Sequence, residues 1–214
     1  MRAHLAELFD AGNKQAQQEK YDNACELYTE CVQNDPGNLE YLQNLMTTLH
    51  KKHGSVKKLG VMAQFKELGA RTALKKAVYQ CDWDKAIQQG ISVLLVNPWD
   101  VPTLTVMGTA CGNIMNQEGT SAVVTYGDCE LYYLKCAFDT FPKDKPDAEV
   151  SRQLAEALEK RERYVEAIRF RRKFPGTEGE SDDPPAGSGV FARIKPRPSG
   201  GSASREPEPD MDKQ

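Results

Sequence analysis

The chain has 214 residues and a mass of 23.9 kDa, with 28 lysines and arginines against 31 aspartates and glutamates, a formal charge of −3. So small a charge argues against nucleic acid as a partner, because neutralising several phosphates requires a clear basic excess. No run of 18 or more apolar residues occurs, which excludes a membrane-spanning helix, and Met1-Arg2-Ala3-His4-Leu5 enters an amphipathic stretch without the apolar core of a secretory leader, so a cytoplasmic location is expected.

Leu5, Leu8 and Gly12 recur at helical spacing, and a second stripe of Tyr21, Ala24, Tyr28 and Cys31 follows. Pro36 ends it, since proline lacks an amide donor and clashes with the preceding turn. Gly12 and Ala24 are small where two antiparallel helices must approach, and Leu8 and Tyr28 fill the space on either side. After Pro36-Gly37-Asn38, the residues Tyr41, Leu42, Leu45, Met46 and Leu49 begin another first helix. Gly54 to Gly69 holds three glycines and a ragged apolar pattern, which predicts a short or irregular partner helix. A helix over about Ala70 to Tyr79 then leads to Trp83 and Ala86, in a frame that closes at Pro98 and has Gly90 where a large residue is expected. Leu104, Met107, Gly108 and Cys111 mark a further first helix, and Asn116 to Ser121 reads as a turn-forming insertion. Leu131, Leu134, Ala137 and Phe138 form the next helix, ending at Phe141-Pro142. The last frame, Asp147 to Phe174, carries Leu154, Leu158, Tyr164 and Ala167 and ends in Arg169, Arg171, Arg172 and Lys173, cations that suit the negative end of a helix dipole.

Three of these frames share one motif, an aromatic ring three residues before an alanine: Tyr21 with Ala24, Trp83 with Ala86, and Tyr164 with Ala167. In the first two a proline follows the alanine by the same interval, at Pro36 and Pro98. Counted from Leu5, the residues Leu8, Gly12, Tyr21, Ala24, Tyr28, Cys31 and Pro36 occupy the signature slots of the tetratricopeptide repeat, and from residue 2 to 174 the chain resembles proteins of that family, bacterial ones among them. Gln15 departs from the pattern, standing where an aromatic is usual. The resemblance implies an all-α, right-handed superhelical solenoid of about five antiparallel helix pairs, the second and fourth irregular, with the last frame as a cap that is polar outside.

From Pro175 to Gln214 the composition turns to Pro, Gly, Ser and acidic residues, with too few large apolar side chains to offset the entropy of ordering, so a disordered tail over 175–214 is expected. It holds 5 basic and 8 acidic residues, which leaves the repeat body formally neutral. Within it, Val190-Phe191-Ala192-Arg193-Ile194-Lys195-Pro196-Arg197-Pro198 reads either as a short docking motif, on another protein or on the chain's own groove, or as solvated tail with incidental Phe and Ile.

Catalysis finds no foothold in the sequence. There is no glycine-rich phosphate loop and no nucleophile elbow, and Asp22, Asp82 and Asp84 stand at helix starts where carboxylates accept backbone amides, so no enzyme activity and no cofactor are expected. The cysteines 25, 31, 81, 111, 129 and 136 include no Cys-x-x-Cys, and with His4, His50 and His53 they predict structural thiols and no metal site. Lys51, Lys52, Lys57 and Lys58 read as a solvated face. The resemblance implies protein binding in a concave groove lined by the first helix of each pair, with Asn13, Asn44, Arg71 and Lys75 as candidate contacts for a partner's peptide or helix. Asn13 and Asn44 match two positions of the clamp with which some family members hold a carboxylate-ended peptide, while Phe9 replaces its first lysine. The chain is therefore expected to act as an interaction adaptor, or alternatively as an assembly subunit that associates through the end faces of the array.

Overall fold

The computed structural model of the chain describes residues 2–54, 61–118, 120–142 and 145–171; the tail expected over 175–214 lies outside the described residues. Among these residues all regular structure is helical: α1 (Arg2–Gln17), α2 (Tyr21–Asn34), α3 (Leu39–His53), α4 (Val61–Tyr79), α5 (Trp83–Leu94), α6 (Val101–Glu118), α7 (Thr120–Asp139), α8 (Ala148–Glu159) and α9 (Tyr164–Arg171). The all-α class of antiparallel helix pairs expected from the repeats is what the chain adopts.

Local chemistry starts several helices where the sequence places carboxylates and amides. Asn38 Oδ1 accepts from the amides of Glu40 and Tyr41 at 3.1 and 3.3 Å, Asp82 from Lys85 at 3.2 Å, Asp100 from Thr103 at 3.1 Å and Asp147 from Val150 at 2.9 Å. Each such cap satisfies an amide that the first turn leaves without a partner, contributing roughly 1 kcal/mol. Asp22 is instead in the first turn of α2, and its carboxylate pairs with Lys52 of α3 at 2.6 Å.

The corners of the three motif-bearing pairs are built alike. Glu19, Cys81 and Glu162 each adopt a left-handed backbone, with φ of 59°, 55° and 58°. The residue after each of them returns a hydrogen bond across the corner: Lys20 N to Gln15 O, Asp82 N to Ala77 O and Arg163 N to Leu158 O, all at 3.0 Å. This is the Schellman closure, here made with side chains where glycine is usual, at a backbone cost of roughly 1 to 2 kcal/mol each. It delivers Tyr21, Trp83 and Tyr164 to the same place two residues later, at the start of α2, α5 and α9.

Within the pairs the small residues have the role their size implies. Ala24 is fully buried, and a Cβ on Gly12 would stand 2.7 Å from Cε1 of Tyr28. The Tyr28 hydroxyl donates to Asn13 Oδ1 at 2.7 Å and the Cys31 thiol donates to Leu5 O at 3.6 Å, so α1 and α2 are joined at both ends of their contact. Gly90 of α5 is similarly explained: a Cβ there would collide with the buried Met107 side chain of α6, which occupies the volume expected of a large residue at that slot.

Two segments differ from expectation. Val61 to Tyr79 is one long helix, so the helix expected from Ala70 begins nine residues earlier and runs through Gly69, while residues 55–60 lie outside the described residues. Helical propagation from an already formed stretch adds one hydrogen bond per residue fixed, which offsets the weak preference of a single glycine. Asn116 to Glu118 finish α6, and Thr120 already starts α7, so the expected loop insertion is helical on both sides of residue 119. The fourth unit is therefore a pair of long helices.

Packing also leaves the strict nearest-neighbour pattern of a solenoid. Consecutive helices pack from α1 to α3 and from α4 to α9, but α3 also packs on α7, and α2 on α5. One core consequently runs from Ala24 of α2 through Leu42, Leu45, Met46 and Leu49 of α3 to Cys129 and Tyr133 of α7. A second, smaller core joins Leu131 and Leu134 of α7 to Leu154, Ala155 and Leu158 of α8 and Ala167 of α9.

Candidate interaction surfaces

The four residues expected in the groove lie on α1, α3 and α4. Asn13 is half-buried and receives the Tyr28 hydroxyl through Oδ1, which leaves its amide donors on the same side chain. Asn44, on the partly exposed side of α3, donates to Glu40 O of its own helix at 2.9 Å. Arg71 forms an ion pair with Asp100, a carboxylate with only 7% of its side chain exposed, and that same carboxylate caps α6. Lys75 is one turn further along α4, half-buried. Arg71 thus ties α4 to the start of α6, a structural duty its spacing in the sequence did not reveal.

The packing residues divide more sharply. Tyr28, Ala24, Ala86, Ala167 and Pro98 are buried, Trp83 is 8% exposed, and Leu8, Tyr21 and Pro36 are half-buried. Tyr164, in the slot equivalent to Trp83, is instead 57% exposed. With it on the outside of α9 are Val165 at 72% and Ile168 at 43%, while Ala167 and Phe170 face inward, Phe170 edge-on to Phe138 of α7 at 5.1 Å between centroids. At about 100° per residue the three outward side chains form one contiguous apolar strip. The polar outer surface expected of a cap is replaced on this arc by large apolar groups.

Two further arrangements join distant parts of the chain. The C-terminal turn of α3 seats on the corner between α5 and α6: His50 stacks on Trp99, with ring centroids 5.3 Å apart and planes at 14°, and His53 Nε2 is 3.0 Å from Leu95 O. Burial holds the His50 imidazole below its ordinary pKa, a hydrogen bond to the Pro98 backbone opposes that, and His53 adds to it. Between α7 and the end of α8, Arg161 pairs with Glu130 at 2.6 Å, and both side chains are nearly closed to solvent, at 13% and 7% exposed. Gly112 and Gly127 make room for this pair, since a Cβ would lie 2.8 Å from Glu130 Oε1 or from Arg161 Nε respectively.

A shallow surface cleft of about 350 Å³ is lined by Glu19, Lys20, Tyr21, Asp22, Asn23 and Lys52, where the α1–α2 corner meets α3. Cys25, Cys31 and Cys129 are packed as small apolar groups: burial pushes Cys25 and Cys31 up to about 11 and Cys129 up to about 12. Among the described residues no group of three metal-ligating side chains comes together, and no helix is long and apolar enough to cross a membrane.

No family model matches the chain, and no curated protein matches it. Solved structures of the protein MamA do. MamA AMB-1 is 18% identical over 81% of this chain and 91% of its own, at a TM-score of 0.41. MamA MSR-1 is 16% identical over 79% and 94%, at 0.41, and a further MamA structure 16% identical over 81% and 91%, at 0.36. Likeness at this level carries no information about binding or chemistry.

Proposed function

We infer that the chain is a non-catalytic protein-interaction module, an adaptor that engages other proteins through the surface of its helix pairs. The observation that carries this reading is the outer face of α9, where Tyr164, Val165 and Ile168 are exposed together at the end of the array. Leaving three large apolar side chains partly in water forgoes a share of the roughly 1.5 to 3 kcal/mol that full burial of such a side chain contributes, which makes the strip a natural contact surface. This supports association through an end face.

Recognition of a peptide or helix in the groove is the second reading, and the half-exposed amides of Asn13 and Asn44 favour it. Asn13 and Arg71 already serve internal contacts, so a groove partner would have to share or displace them. Light scattering coupled to size exclusion at several concentrations, together with partner capture from the native cell extract, separates the two. Loss of association or capture in Val165→Asp/Ile168→Asp with no effect of Asn13→Ala/Asn44→Ala assigns the end face. The reverse pattern assigns the groove, and no effect of either pair refutes both.

A further inference from the structure

The apolar strip on α9 raises the question of what covers it, and the chain itself carries a candidate. Beyond Arg171 the sequence continues for 43 residues, and its large apolar side chains are Phe174, Val190, Phe191, Ile194 and Met211. Three of them, Val190, Phe191 and Ile194, are spaced i, i+1, i+4. That is the spacing of Tyr164, Val165 and Ile168 on the outside of α9. A single helical turn over 190–195 would therefore present an apolar strip of matching width, and Pro196 would end it.

We propose that Val190–Pro198 docks in cis on the outer face of α9, covering Tyr164, Val165 and Ile168 and competing with a partner protein for that surface. The proposal rests on reading this face as an interaction surface.

Reach is not limiting. Residues 172–189 connect the two elements, an 18-residue stretch with a root-mean-square span on the order of 20 Å, whereas the eight residues of α9 extend only about 12 Å. A tether of that length holds its end at an effective concentration on the order of 1 mM. A contact with a Kd of about 0.1 mM between separate molecules would then be closed about nine-tenths of the time. Three apolar groups meeting three others suffice for such a weak contact, and a partner with a better surface would displace the segment.

Hydrogen exchange on the full chain tests this, comparing the wild type with Phe191→Ser/Ile194→Ser, substitutions beyond the described residues. Exchange of the amides in 164–171 is expected to rise about tenfold in the variant, by the same factor at 1 and at about 100 µM protein. Equal exchange in the two proteins overturns the proposal, as does a difference that appears only at the higher concentration, which would assign the face to a second copy. Val165→Asp gives the reciprocal measurement, because its side chain is exposed and the fold does not depend on it. Tryptic cleavage after Arg193 should accelerate by a similar factor, and an unchanged rate also overturns the proposal. If exchange in 164–171 ignores the tail substitutions while Val165→Asp/Ile168→Asp abolishes partner capture, the end-face reading stands and the cis contact falls.

Discussion

Gly12→Ala and Gly69→Ala are the same chemical change in two helices, and the packing predicts opposite signs for them. Within a helix, alanine is favoured over glycine by about 1 kcal/mol, because the glycine backbone loses more freedom on folding. Gly69 is exposed on α4 with nothing within 4 Å of an added Cβ, so its replacement should stabilise the protein by about that amount. At Gly12 the new Cβ would lie 2.7, 3.0 and 3.2 Å from Cε1, Cδ1 and Cζ of Tyr28. That ring has little freedom to retreat: Tyr28 is 1% exposed, its hydroxyl is held by Asn13, and Phe9 stands against it at 5.7 Å between centroids. Overpacking a fixed contact of this kind costs roughly 1 to 3 kcal/mol, so after the backbone gain the net effect should be a loss of about 1 kcal/mol. Urea unfolding followed by far-UV circular dichroism reads both variants on one scale, and the difference between them should be about 2 kcal/mol with an unchanged m-value. If Gly12→Ala stabilises as Gly69→Ala does, α1 and α2 are not in the close contact described and the small-residue argument fails.

Three other outcomes follow from the site geometry. His50 has a folded pKa below its ordinary value of 6.5, so it contributes stability above that pH which is lost as the pH falls through the folded pKa. His50→Gln should flatten the fall in unfolding free energy below pH 6.5, and an unaltered slope would remove His50 from the account. Replacing Arg161 by Met leaves Glu130 charged and enclosed, at a cost of roughly 3 kcal/mol in thermal or urea unfolding, and adding Glu130→Gln should recover most of it. Alkylation followed by mass spectrometry near pH 8 should modify the half-exposed Cys81 first, with Cys25, Cys31 and Cys129 slower by orders of magnitude, since a thiol at about 11 or 12 holds little thiolate there and is also buried; simultaneous modification of all of them would contradict the packing.

What the sequence disclosed and what it withheld have separate physical causes. The first helix pair was readable residue by residue, because Leu8, Gly12, Ala24, Tyr28 and Pro36 report contacts between segments near one another in the chain, and local spacing encodes such contacts. The long start of α4 and the helical ends around residue 119 were missed because glycine and turn-forming residues lower helix preference without forbidding it, and tertiary packing decides the outcome. The packing of α3 on α7 was illegible because it joins two stripes that are each ordinary alone. Of the candidate site, Asn13, Asn44, Arg71 and Lys75 lie on helices, which local spacing implies, but the commitment of Arg71 to Asp100 depends on a meeting of two elements that no local pattern records. The exposure of Tyr164 was hidden by its motif: the same aromatic slot is covered at Trp83 and uncovered at α9, and only the position of the unit in the array distinguishes them.

The repeated corner at Glu19, Cys81 and Glu162 bears on how the molecule is made. Each closure links residues only five apart, so every hairpin of rods can zip up on its own soon after its residues are available, with little chain entropy lost in the search. The seam between α3 and α7 has no such advantage, because it must bring together stretches with the α4–α5 hairpin and the whole of α6 between them. Assembly should therefore proceed from three early local nuclei to a late long-range zipper, and mechanical or chemical stress should open that zipper while the hairpins are still intact.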